Sequence, residues 1–303
     1  MHSAFYSMIP KLSMISVFDK IIQFFTDKIP IATGTEWITD QVKEKFAFLF
    51  DPIKTHFGNF MEWSADSLNL IPPVVFIILV MIAAFFISGK KFGLAAFSAF
   101  GLWIIYNQGY WAHLMDTLSL VIISSVLAVI IGVPVGILMA KSRIATIIIE
   151  PILDFMQTMP AFVYLIPAVA FFGIGMVPGI FASLIFATPP TVRFTNLGIR
   201  QVSAELVEAS DAFGTTGAQK LFKVELPMAR ATIMAGINQT VMLSLSMVVI
   251  ASMIGAPGLG REVLSALQRS QVGTGFVAGI GIVILAIIID RFTQNMNKDK
   301  KNT

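Results

Sequence analysis

The segment Val202–Pro227, VSAELVEASDAFGTTGAQKLFKVELP, is the longest polar interruption in a chain otherwise built of apolar runs. Val202, Leu206, Ala209 and Phe213 recur at helical spacing, with Glu205, Glu208 and Asp211 beside them, so one face is apolar and the rest is wet. Gly214 stands where such a helix would close in a left-handed turn, a conformation that a Cβ makes costly. Thr216 and Gln219 have capping-box spacing, which predicts a second short helix. Lys220 and Lys223 fall toward its end, where positive charge suits the helix dipole. Pro227 fits the first turn of a further helix, where a missing N–H is no loss. The reading is helix, glycine hinge, short capped helix and launch into an apolar span.

The rest of the chain supplies those spans. Of 303 residues, 56% are hydrophobic and 13% charged, against roughly 25% charged in an average globular domain. That composition defines an all-α polytopic membrane protein. The formal charge of +3 is small and does not suggest nucleic acid. With no cysteine, the chain has no disulfide, thiolate metal site or cysteine nucleophile. His2, His56 and His113 are scattered, which argues against a histidine metal cluster. No G-x-x-x-x-G-K-[ST] loop occurs, so ATP is not held by that route. Gly258-Leu259-Gly260 lacks the third glycine and the preceding strand of a dinucleotide site, and reads as a solvent-side turn or a re-entrant segment.

A helix needs on the order of 20 apolar residues to cross the hydrocarbon. Pro72–Ser88 and Phe92–Tyr106 are short candidates separated by Gly89-Lys90-Lys91. Asp116–Ala140 is a full span, perturbed by Gly132, Pro134 and Gly136. Ile152–Ile174 is another, kinked by Pro160 and Pro167. Ile180–Pro189 is short for a straight crossing. Met228–Met253 and Phe276–Ile289 bring the set to about seven membrane segments. Lys90, Lys91, Lys141, Arg143, Arg193, Arg200 and the Arg291–Lys301 run fall on one side. The other side has only Arg261 and Arg269 in short loops, beside Trp103, Tyr106, Tyr110 and Trp111. The basic side is expected to be cytoplasmic, with the 202–227 loop and the C-terminus there and the N-terminal region outside.

Residues 1–70 form a distinct region with eight acidic residues and six lysines. Ile15, Phe18, Ile22 and Phe25 share one face of Met14–Ile29. Ile38, Val42, Phe46, Leu49, Ile53, Phe57 and Phe60 make a second stripe with a break expected at Asp51-Pro52. Neither is apolar all round. Helices lying in the interface, anchored by Trp37 and Trp63, are one account; a hairpin packed on the membrane core is the other. No signal peptide is read at the start. Residues 71–292 would be the transmembrane domain and 293–303 a polar cytoplasmic tail.

Glu208-Ala209-Ser210, Gly214 six residues after Glu208, and Val224-x-Leu226-Pro227 together resemble the EAA loop of permease subunits in binding-protein-dependent ABC importers. The usual pattern has a second alanine at Ser210 and often isoleucine at Val224. Gln157-Thr158-Met159-Pro160, Pro189-Pro190-Thr191-Val192-Arg193 and Ser252-Met253-Ile254-Gly255-Ala256-Pro257-Gly258-Leu259-Gly260 narrow the resemblance to the glycine betaine/proline betaine branch, over roughly residues 70–292. The resemblance implies a type I ABC importer permease-like bundle that carries a quaternary-amine osmolyte such as glycine betaine, proline betaine, carnitine or choline. It implies two permease copies, ATPase subunits that bind the ATP and Mg, and an extracytoplasmic binding protein, here a separate chain because only a short tail follows Arg291. No cofactor is expected on this chain. The loop, through Glu205, Glu208, Ala209, Ser210, Gly214, Leu226 and Pro227, would dock on the ATPase and act as a lever.

Polar residues inside spans are the candidates for a solute path, because facing them to lipid is expensive. These are Asp154, Gln157, Asn238, Gln239 and Ser244, with Thr240 and Ser246 near them. Hydrogen bonding between helices is the competing account. The aromatics Trp103, Tyr106, Tyr110 and Trp111 lie at interface depth, so no tight trimethylammonium cage is expected in this subunit. The same architecture would serve a permease for another solute, such as an amino acid. A secondary transporter should show an internal repeat, and a membrane enzyme a His/Glu cluster or a nucleophile–base pair; neither is evident.

Overall fold

The computed structural model describes residues 30–297, and every regular element among them is helical. The Met14–Ile29 stripe and residues 298–303 of the tail lie outside this range. The chain divides into two compact units, 1–48 and 49–303. In the first, α1 (Ile31–Lys45) buries no residue. Trp37 and Ile38 on it are largely exposed.

In the second unit, the expected break at Asp51-Pro52 does not occur. Helix α2 (Ala47–Asn69) continues through Pro52 and widens into a π turn at Ile53–Phe57. A wider turn accommodates the donor that proline lacks. Met61 and Ala65 are buried on one face of α2, and Met61 belongs to the main core with Leu114 and Ile180. The chain then turns by 90° into α3 (Pro73–Ile87), followed by α4 (Phe92–Asn107).

The bundle is built around three long helices: α5 (Trp111–Lys141), α8 (Met176–Arg200) and α10 (Gly217–Ser252). Helix α8 packs against α5 on one side and α10 on the other. Two membrane helices gain little by hiding apolar surface from apolar lipid, so close backbone approach through small residues must hold them. Gly132 and Gly136 of α5 lie under Thr191 and Thr195 of α8. Gly236 of α10 lies under Phe194, and Gly198 of α8 faces Ala229 and Thr232. A buried hydroxyl pair, Thr191–Thr240 at 2.7 Å, links α8 to α10.

Two expected segments need correction. Ile180–Pro189 is not a short piece: it belongs to the 25-residue α8, which runs through Pro189-Pro190. Both prolines are buried between neighbouring helices, and Thr188 Oγ1 donates to the Leu184 carbonyl at 2.6 Å. In membranes, such packing and hydroxyl bonding let a helix survive prolines. Ile152–Ile174 is not a single kinked helix. It comprises the end of α6 (Arg143–Thr158) and then α7 (Ala161–Phe172), which meet at 111°. Met159, preceding Pro160, is extended (φ −72°, ψ 134°), as the residue before proline prefers. Pro167 falls in the first turn of the α-helical part of α7, where a missing N–H is tolerated.

After α10 come α11 (Leu259–Gln268) and α12 (Val272–Asn297). Among the described residues, α5, α10 and α12 are long and apolar enough to cross a membrane, giving three crossings, or five if α2–α3 and α6–α7 each count as one. Gly258-Leu259-Gly260 is buried, not a solvent-side turn. Gly258 has φ +114°, and a Cβ there would collide with Thr117 of α5. Thr117 Oγ1 accepts the Leu259 N–H at 2.8 Å. Thr117→Val should therefore leave a buried N–H unpaired, at about 1–3 kcal/mol; thermal unfolding in detergent measures it, and an unchanged midpoint would contradict it. Trp111, read as an interface aromatic, is in fact 8% exposed, with its ring edge-on to Phe76 and Tyr106.

Candidate functional site

The polar loop opens with α9 (Ala204–Ala212), which ends at Gly214 with φ +72°. The Gly214 N–H donates to the Asp211 carbonyl at 2.9 Å, and the Thr215 N–H to the Ser210 carbonyl at 3.2 Å. These bonds satisfy carbonyls that a helix end otherwise leaves free. Across the turn, both halves of the Thr216/Gln219 capping box are formed. Lys220 Nζ reaches both Asp211 carboxylate oxygens at 2.8 Å, closing the hinge from the other side.

The second short helix is not separate, as the sequence reading had it. Residues Gly217–Lys220 pass through a π turn, Leu221–Glu225, directly into the α-helical stretch Leu226–Ser252. Pro227 stands in the first turn of that stretch, but the chain enters it already helical. Backbone hydrogen bonding thus carries the loop into a membrane-crossing helix, so a push on one is felt by the other.

Glu205, Glu208 and Ala209 are exposed on α9. Ser210 is buried, and its Oγ donates to the Val207 carbonyl at 2.9 Å. Leu226 packs beside Ile199 and Ala229, while Pro227 is exposed. Phe213 and Phe222 are 89% and 66% exposed, the two most exposed large apolar side chains of the loop.

One anchor was not singled out in the sequence. Glu225 is 4% exposed and pairs with Lys141 at the end of α5. Its only sequence signal is an acidic residue within a motif flanked by apolar positions; its partner lies in another helix. Lys141→Met should strand a buried carboxylate and cost about 2 kcal/mol or more. Combining it with Glu225→Met should recover much of that loss, and a double-mutant cycle of unfolding midpoints measures the coupling.

The span residues do not converge on one point. Asp154 and Gln157 are exposed on α6, and Asp154 Oδ1 accepts from Arg193 Nη2 of α8 at 2.5 Å. Asn238 Nδ2 donates to Asp290 Oδ1 of α12 at 3.0 Å. Gln239 is exposed on α10, whereas Ser244 is fully buried. Thr240 is engaged with Thr191, and Ser246 Oγ with its own Met242 carbonyl. Among the described residues, no group of three His, Cys, Asp or Glu side chains is placed to hold a metal ion.

The polar hinge is continuous with a helix long and apolar enough to cross a membrane. Residues 132–302 match the family described as binding-protein-dependent transport system inner membrane component, and the chain belongs to that family. It is the membrane subunit of an ABC importer, whose ATPase and solute-binding protein are its partners. Similar proteins include the glycine betaine/carnitine transport permease protein of Listeria monocytogenes, 57% identical over 90% of this chain and 98% of that protein. The glycine betaine transport system permease protein of Bacillus subtilis is 49% identical over 91% of this chain and 97% of its own length. The glycine betaine/proline betaine transport system permease protein of Escherichia coli is 46% identical over 90% and 75%. The solved MetNI methionine ABC transporter, in inward-facing conformations, shares the fold with a TM-score of 0.56 at 22% identity, over 65% of this chain and 96% of that one.

Proposed function

We propose that this permease imports quaternary-amine compatible solutes, of the glycine betaine, proline betaine, carnitine and choline class. The observation that carries the reading is the 57% identity, spanning 98% of the relative, to a protein named for glycine betaine and carnitine transport. Two copies of the chain form the translocation unit. The 202–227 loop and the C-terminus face the cytoplasm and the N-terminal region faces outward, in keeping with the basic residues gathered at the loop end of the spans. ATP and Mg bind on the ATPase, and this chain needs no cofactor. The exposed surface of Glu205, Glu208, Ala209, Phe213 and Phe222 meets the ATPase, which would cover the two phenylalanines. Asp154, Gln157 and Gln239 line the solute path, being exposed polar groups on membrane helices. Solute selection resides mainly in the separate binding protein.

The test is ATP-dependent uptake of labelled glycine betaine into vesicles holding this chain, its ATPase and its binding protein, with choline, carnitine and proline as competitors. Uptake that needs both partners supports the reading. Uptake without an ATPase overturns it, and transport of another solute instead moves the substrate while keeping the architecture.

A further inference from the structure

Arg193 and Asp154 form an ion pair that opens outward from the chain. Arg193 lies seven residues before Arg200, which ends α8, so it stands about 10 Å along the helix from that end. Its side chain is 36% exposed and that of Asp154 61%. An ion pair facing hydrocarbon is expensive. Gln157, one turn from Asp154 on α6, is exposed beside it. Charged and amide groups gathered on one open face are costly against hydrocarbon, and a solute route is one wet surrounding that would satisfy them. Arg193 is also incompletely used: Nη2 binds Asp154, while Nε is buried without a partner.

We propose that this pair is a transit site for the zwitterion, with the solute carboxylate on Arg193 and its quaternary ammonium on Asp154. The proposal rests on the quaternary-amine reading above. A zwitterion entering between the two side chains replaces their ion pair with one hydrogen-bonded pair, solute carboxylate on Arg193, and one purely electrostatic contact, solute ammonium on Asp154, so neither charge is stranded. The guanidinium fork matches a carboxylate in two-point geometry. The ammonium, which has no N–H to donate, needs only a nearby negative charge. Because the gain at Arg193 is offset by the loss of its own hydrogen-bonded pair with Asp154, the site holds solute weakly, as a point of passage requires.

The experiment uses the reconstituted permease–ATPase complex with saturating betaine-loaded binding protein. Its readouts are betaine carried per ATP hydrolysed and the stimulation of ATP hydrolysis by the loaded binding protein. The neutral pair Asp154→Met with Arg193→Met removes both charges without stranding either. It is expected to keep stimulated hydrolysis within about twofold of the parent while uptake per ATP falls at least tenfold. The exchanged pair Asp154→Arg with Arg193→Asp keeps the template in reversed order and is expected to regain a third or more of the uptake. Normal uptake by the neutral pair would overturn the proposal. So would loss of assembly or of stimulated hydrolysis in that variant, which would make the pair a structural tie, or an assembled exchanged pair with no uptake. Failure of the parent complex to carry betaine would instead sink the substrate reading.

Discussion

Gly136→Leu is expected to leave almost no correctly packed permease in the membrane. An ideal Cβ at Gly136 would lie 2.6 Å from Thr195 Cβ and 2.7 Å from the Val192 carbonyl oxygen of α8. The carbonyl belongs to a helix backbone and cannot swing aside. Accommodating even alanine means separating α5 from α8, at about 1–3 kcal/mol for the overpacking, and a leucine asks for more. The separation also weakens the neighbouring Gly132 approach, and small-residue contact is the main attraction available between helices in lipid. Gly93→Leu is the control, since nothing lies within 4 Å of a Cβ there. Membrane abundance and a monodisperse profile in detergent are the measurements. If both variants accumulated equally, the tight α5–α8 crossing would not be what holds the bundle together.

Gly214→Val is expected to assemble normally and yet lose at least nine-tenths of ATP-dependent uptake. At φ +72°, and with no atom within 4 Å of an added Cβ, a side chain here meets no neighbour. The cost is purely conformational, about 1–2 kcal/mol for a non-glycine residue in the left-handed region. Relieving it would open the turn and pull apart the Asp211–Lys220 pair and the capping box that fix α9 relative to α10. Since the turn feeds directly into a helix long enough to cross a membrane, misaligning it would, under the proposed coupling role of the loop, break the link between ATP hydrolysis and transport. Asparagine enters the left-handed region more readily than other side chains, so Gly214→Asn should retain much of the activity. Uptake set beside ATP hydrolysis for the two variants is the measurement. Equal activity of the valine and asparagine variants would show that backbone conformation at this turn does not matter.

Much of the loop was legible because its signals are local. A glycine at a helix end, Thr216 three residues before Gln219, and a proline ahead of an apolar run each act within a few residues, and the turn and cap formed where that spacing placed them. The continuity of the loop with α10 was not legible, because Pro227 alone marks a first turn equally well after a loop or after a π turn. The span boundaries failed for a similar reason. Pro160 and Pro189-Pro190 look alike in sequence, yet one breaks the chain by 111° and the other pair is absorbed into a 25-residue helix. What separates them is whether neighbouring helices enclose the proline, and that is a property of packing.

The amino-acid sequence by itself determined that this is a helical membrane protein with a hinged polar loop, because composition, apolar run length and capping are short-range matters, and its motifs carried the resemblance to ABC importer permeases. Only the tertiary structure decided which partners the polar residues take. Lys141 reaches Glu225, Thr117 holds Leu259, Thr191 meets Thr240, and Arg193 lies against Asp154 across α8 and α6. Each of these pairs joins residues far apart in the chain, and in a bilayer their pairing is set by where glycines let the helix backbones touch, which no local pattern encodes.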